Sequence, residues 1–312
     1  MTFIELFQDP NIQWIMLATM LLGVSSGVLG CFAYLRKQSL MGDALSHAAL
    51  PGVCVAFLLT GTKSLWSLMA GAAVAGLLAT FGIGWITRHS RIKSDAALAI
   101  VLSTFFGLGI VLLTRIQQSG SGSQAGLDKF LFGQAAAMVR SDVYTMAGLA
   151  IALIALCALF FKPFKLISFD PGFARLIGYP VAALEQFLML LLVVAVVVGI
   201  QAVGVVLMAA MLITPAVSAR YWTDRLGVMI ALSGAFGAAS GLAGTLVSAT
   251  ANGLPTGPLA VLAATALFVV SVLFAPGRGL IARGAAAARL KRSIRAERAR
   301  GVAAAAKEGT QA

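Results

Sequence analysis

Met41-Gly42-Asp43-Ala44-Leu45-Ser46-His47-Ala48-Ala49-Leu50-Pro51-Gly52 continues without a polar break into the apolar run Val53–Leu59. The whole reads as one membrane helix, from about Leu40 to Leu59, with a carboxylate and an imidazole near its start. Four residues make about one helical turn, which stacks Asp43 and His47 on one face. A carboxylate within a transmembrane segment costs about 2.5–3.5 kcal/mol on insertion scales, so it faces a cavity or a partner. Carboxylate oxygen plus neutral imidazole is a suitable donor pair for a divalent transition ion. A second reading makes Asp43 a helix-end cap for backbone N–H groups and sets His47 at the headgroups. The pair alone does not separate the two.

The rest of the chain has the same solvent preference. Of 312 residues 60% are hydrophobic and 11% charged, with a mean hydropathy of +0.95. A soluble domain is about a quarter charged, so this is an all-α polytopic membrane protein. Met1 to Pro10 holds Glu5 and Asp9 and no basic residue, unlike the start of a cleavable signal peptide, so the first span is expected to be retained. Net charge is +12, but the basic residues sit in loops and in the tail, where membrane topology accounts for them; nucleic acid is not an expected partner. Cys31, Cys54 and Cys157 lie in apolar segments without ligand spacing and read as small core residues.

Eight further spans are expected around this one. They are Gln13–Leu35, Leu65–Ile86, Ala96–Leu113, Tyr144–Phe161 (ended by Lys162-Pro163-Phe164-Lys165), Phe187–Ile200, Val203–Ala219, Leu226–Ala249 and Leu259–Phe274. Thr214-Pro215 marks a kink or break in the seventh span of the chain. The first span and Leu226–Ala249 are rich in Gly, Ala and Ser, which lets neighbouring helices approach closely. Gln117 to Gln124 reads as a flexible linker, and Leu127–Val139, too short to span, as a surface or re-entrant helix. With the N-terminus outside, nineteen of the 23 Lys and Arg fall inside, nine of them in the tail, against four outside. One misread segment would make eight spans. The permease-like membrane domain is placed at 1–281 and a basic Ala/Arg-rich cytoplasmic tail at 282–312.

Ser168 to Pro180 is a polar interruption between two spans on the expected cytoplasmic side. Asp170 before Pro171 starts a helix and Gly178 with Pro180 stops it, giving about two turns. No nucleotide-binding loop occurs, because Gly61-Thr62-Lys63-Ser64 lacks the glycines such a loop needs. Asp95, Asp142, Glu185 and Asp224 fall at helix ends, where capping is the expected role. The chain is not expected to be an enzyme.

Gly42-Asp43-Ala44-Leu45-Ser46-His47-Ala48, closing with Pro51-Gly52, resembles the signature of the manganese/zinc/iron ABC importer permeases. Three more blocks agree in order: Leu127–Gln134, Val203–Leu207 with Leu212–Ala216, and Thr256-Gly257-Pro258. Phe169 through Gly178 is similar to that family's coupling segment. The likeness spans about residues 10 to 280, leaving the tail outside it. It implies a fold of about 8–9 transmembrane helices similar to that of the vitamin B12 and siderophore importer permeases. It also implies a location in the bacterial inner membrane, a second permease copy or paired homologue, a separate ATP-binding subunit and an extracellular or periplasmic metal-binding protein. No cofactor is expected to be held permanently; the transported ion is Mn2+, Zn2+ or Fe2+, with manganese favoured. Asp43 and His47 match the family's metal positions. Asp170, Phe173, Arg175, Leu176 and Ile177 are expected to couple to the ATPase, with Phe173, Leu176 and Ile177 as apolar anchors in a groove. An ion-coupled secondary metal transporter is the alternative, but it leaves the 170–180 segment without a purpose, and a membrane-embedded enzyme lacks catalytic groups.

Overall fold

The computed structural model describes residues 9–61, 64–118, 140–250, 254–276, 278–284, 289 and 291. Helices carry essentially all of this. They are α1 (Pro10–Leu35), α2 (Met41–Thr60), α3 (Leu65–His89), α4 (Ser94–Gln118), α5 (Arg140–Leu159), α6 (Phe161–Phe169), α7 (Pro171–Leu176), α8 (Val181–Val203), α9 (Val205–Trp222), α10 (Leu226–Thr250) and α11 (Thr256–Phe274). Among the described residues eight are long and apolar enough to cross a membrane: α1 to α5, α8, α10 and α11. The ninth expected span is α9, whose 18 residues rise about 27 Å.

Small residues decide which helices meet. α1 and α10 run antiparallel and nearly touch, with Gly23 against Gly237 and Gly27 against Ser233. Backbones this close can also trade polar contacts: Ser233 Oγ donates to the Gly27 carbonyl at 2.8 Å, and the Thr19 and Thr245 hydroxyls lie 2.9 Å apart. In an apolar solvent such close packing and hydrogen bonding replace the hydrophobic drive that holds soluble helices together. A second crossing brings Gly52 of α2 onto Gly71 of α3. The apolar stretches of α1 and α2 are 78% and 72% buried against 22% for α11, so α1 and α2 form the centre and α11 lies at the rim.

Several boundaries differ from the sequence reading. Lys162-Pro163-Phe164-Lys165 does not end the helical run; the chain bends at Phe160 and restarts as α6. Pro163 is the third residue of that helix, where a missing N–H forfeits no intrahelical bond. The next span starts at Val181 rather than Phe187. α9 runs through Pro215, and the break falls instead at Gly204, whose φ of 92° suits glycine. There α8 folds back on α9, with Gly199 beside Met208. Glu185 and Asp224 are not caps: Glu185 pairs with Arg36, and Asp224 sits between Arg220 and Arg278. Asp95 and Asp142 do fall in first turns, where a negative charge suits the helix dipole. The segment 127–139, most of the linker and most of the tail lie outside the described residues.

Candidate functional site

α2 opens at Met41 without a side-chain cap, since the residue before it is Leu40. Asp43 in its first turn makes no capping bond, so the capping reading finds no support in the geometry. His47 Nε2 lies 3.4 Å from Asp43 Oδ1. That is one turn apart and on one face, as the spacing predicts, but longer than a strong hydrogen bond. Both groups thus keep lone pairs for a cation. The Asp43 side chain is 40% exposed and His47 17%, which makes the acid the outer member of the pair.

Neighbours fix the imidazole from behind. Phe106 of α4 meets it edge to face with ring centres 4.7 Å apart. Gly42 presses on Leu212 of α9, and Gly109 of α4 on Leu50 and Pro51. α2 and α4 therefore run parallel, and the level of His47 is that of Phe106. Phe106 is twelve residues into the 25-residue α4, about 18 Å from its start, so the pair sits near mid-height of a neighbouring span. His47 Nδ1 is buried without a hydrogen-bond partner. Pro51 lacks an N–H, so the His47 carbonyl also loses its usual partner four residues on. A buried polar atom left unpaired is costly, and two of them on one residue point to a group that exchanges partners during its work.

Among the described residues no cluster of three or more His, Cys, Asp or Glu side chains could hold a metal. One chain thus offers a two-side-chain, open-sided site, fit for transient contact rather than a closed cage. The three cysteines are buried and free and lie apart from it.

The other expected site lies at the far end of α5. α6, α7 and the start of α8 form a short hairpin-like excursion. Asp170 caps α7 by accepting from Phe173 N at 2.8 Å, and Gly178, with φ 91°, ends it. Ala174 is fully buried and seats α7 on the core. Phe169, Phe173, Leu176 and Ile177 are all exposed, Leu176 at 87%, and Arg175 stands among them. A helix of six residues with that many exposed apolar side chains is a surface made for contact. The five coupling residues expected from the sequence are thus brought together on this excursion. Sequence reasoning missed Phe106, which only the α2–α4 packing reveals, and the Arg36–Glu185 pair. The signal for the pair was that Glu185 falls in the second turn of its helix, too deep to serve as a cap.

The model of the ABC 3 transport family matches residues 8–275. The manganese transport system membrane protein MntC of Bacillus subtilis (strain 168) is 58% identical over 285 residues, covering 91% of this chain and 66% of that protein. This chain therefore spans about two thirds of the length of that relative. The zinc transport system membrane protein TroC of Treponema pallidum (strain Nichols) is 47% identical over 277 residues, covering 89% of this chain and 93% of that one. Among solved structures, PsaBC from Streptococcus pneumoniae in complex with Fab superposes with a TM-score of 0.78 at 38% identity, over 88% of this chain and 96% of that chain. An inward-facing metal-chelate type ABC transporter shares the fold, with a TM-score of 0.66 at 17% identity over 83% of this chain and 84% of that chain.

Proposed function

This chain belongs to the ABC 3 transport family, and on that premise we propose that it forms the pathway by which a divalent transition metal crosses the bacterial inner membrane, with Asp43 and His47 handing the ion inward. It is a multi-pass permease of a metal ABC importer and not an enzyme, since ATP hydrolysis belongs to a separate subunit. The observation that carries the reading is the Asp43–His47 pair on one helix face, near mid-height, open on one side and backed by Phe106.

A second permease copy, identical or homologous, faces this one across the pathway. Two copies bring two carboxylates and two imidazoles to one axis, enough for a four-ligand stop that still releases its ion. The ion arrives from an extracellular or periplasmic metal-binding protein. The exposed face of α7, with Asp170 holding its first turn, docks on the ATP-binding subunit; Phe173, Leu176 and Ile177 enter a groove there and Arg175 lies at its rim. That places the C-terminus in the cytoplasm, in keeping with the excess of basic residues on that side.

Manganese is the first choice of cargo, ahead of zinc and iron. A carboxylate and an imidazole without a thiolate suit it, and the Bacillus relative named for manganese is more similar than the Treponema relative named for zinc. The test is metal uptake by cells lacking their other importers and supplied with this chain and its partner subunits. Manganese uptake should exceed zinc and iron uptake, and Asp43→Ala or His47→Ala should abolish it while the protein still reaches the membrane. Wild-type accumulation in the double variant would overturn the assignment of the pair.

A further inference from the structure

Arg36 and Glu185 form the one ion pair between separate helices at the base of the bundle that no step above uses. Arg36 follows the last residue of α1, and Glu185 lies on α8, five residues past Pro180. Arg36 Nη2 reaches Glu185 Oε1 at 2.7 Å, and the arginine side chain is only 12% exposed. A knot of aromatic rings lies beside the pair. Phe32 of α1 meets Phe164 of α6 at 5.6 Å between ring centres, and Phe187 of α8 meets Phe160 at 5.0 Å. Phe32 and Phe164 are fully buried. The end of α1 is thus held against the root of the α6–α8 excursion by one charged contact and an aromatic cluster.

Both sides of this contact are stiff. After Arg36 the chain makes a closed turn, with Lys37 N bonded to the Tyr34 carbonyl and Gln38 N to the Ala33 carbonyl. Lys37 takes the left-handed conformation, φ 57°, that this helix-ending motif requires. Met41 N bonds to the Gln38 carbonyl and Ala44 N to that of Leu40, so hydrogen bonds run from Arg36 to Asp43 without slack. On the other side Tyr179 N bonds to the Ala174 carbonyl, Val181 N to that of Tyr179 and Leu184 N to that of Pro180. The exposed α7 and the metal-binding turn of α2 therefore meet at one contact, Arg36 with Glu185.

That contact is incompletely satisfied. Nε and Nη1 of Arg36 and Oε1 of Gln38 are buried with no hydrogen-bond partner. Unpaired donors on a buried guanidinium are costly, and a purely static ion pair would be better placed by giving each donor an acceptor. A joint that slides between two arrangements leaves some donors unpaired in each.

We infer that Arg36 and Glu185 are positioning residues that transmit displacement of the docking excursion to Asp43 and His47, so that the pathway opens only in step with the ATPase. This rests on the reading of α7 as the ATPase-docking surface. Removing either charge should leave docking intact, because neither side chain belongs to the exposed face of α7, yet loosen the link between nucleotide hydrolysis and metal movement.

The experiment uses the complete importer with its ATPase subunit and binding protein in proteoliposomes, loaded with Mn2+. Metal delivered, ATP hydrolysed, co-purification of the ATPase and thermal unfolding are measured together. Arg36→Gln and Glu185→Gln should each retain the ATPase and unfold near the wild-type temperature. Metal delivered per ATP should fall by at least about tenfold, as expected for breaking one partner of a buried pair. The exchange Arg36→Glu with Glu185→Arg should recover most of the loss, since the two sites are coupled. Wild-type metal per ATP in both single Gln variants overturns the inference, as does loss that follows only the fall in thermal stability. The parent reading is tested apart, by Phe173→Ser with Leu176→Ser. If that variant keeps the ATPase at wild-type yield, α7 is not the docking surface, whatever Arg36 and Glu185 do.

Discussion

Gly27→Ala tests the α1–α10 crossing on which the bundle is built. A Cβ at Gly27 would lie 2.5 Å from the Ser233 carbonyl oxygen and 3.0 Å from its hydroxyl oxygen. An ordinary C–H···O contact is about 3.3 Å, so the helices must part by roughly 0.8 Å at this point. The obstacle is helix backbone, which cannot swing aside as a side chain does. Forcing a methyl into a packed site costs about 1–3 kcal/mol, and here the upper part of that range applies. Alanine returns about 1 kcal/mol of helix propensity, leaving a net loss of about 2 kcal/mol. Gly148 of α5 is the control, because a Cβ there meets nothing within 4 Å. Gly148→Ala should therefore gain up to about 1 kcal/mol. Thermal unfolding of the purified protein in detergent, followed by tryptophan fluorescence, should show a fall of about 4–8 °C for Gly27→Ala and a rise of about 2–4 °C for Gly148→Ala. A Gly27→Ala midpoint at or above wild type would refute the close approach of α1 and α10.

Asp170→Ala removes the cap on α7 and should weaken that segment by about 1 kcal/mol; co-purification of the ATPase subunit should fall while the unfolding temperature of the membrane domain stays put. Lys37→Gly relieves a left-handed backbone on a residue with a side chain, so the unfolding midpoint should rise slightly, by no more than about 1 kcal/mol in stability, and a fall would show that Lys37 makes a stabilising contact of its own. Cys31, Cys54 and Cys157 are buried and free, so a thiol-specific reagent should label the folded protein in detergent negligibly and label it fully after denaturation; rapid labelling of the native protein would contradict the packing around them.

The sequence by itself determined the solvent and the elements. Long apolar runs can only be helices where no water satisfies the backbone, so the spans were legible from composition and length. Asp43 and His47 stood out because a carboxylate and an imidazole at a spacing of four are expensive in such a run. The limits of α7 were equally local, since Asp170, Pro171 and Gly178 each set a backbone state through their own chemistry. The tertiary structure decided everything that depends on two distant segments meeting. Phe106 behind His47 required the parallel packing of α2 on α4, which no pattern in either helix specifies. Glu185 looked like a terminal acid until Arg36, 149 positions away in the chain, was brought to it. Pro215 was a plausible break by local rule, yet α9 passes through it, because a helix packed on neighbours tolerates one lost hydrogen bond. The turn fell at Gly204 instead, where α8 had to fold back on α9 and only a residue without a Cβ takes the required φ at little cost.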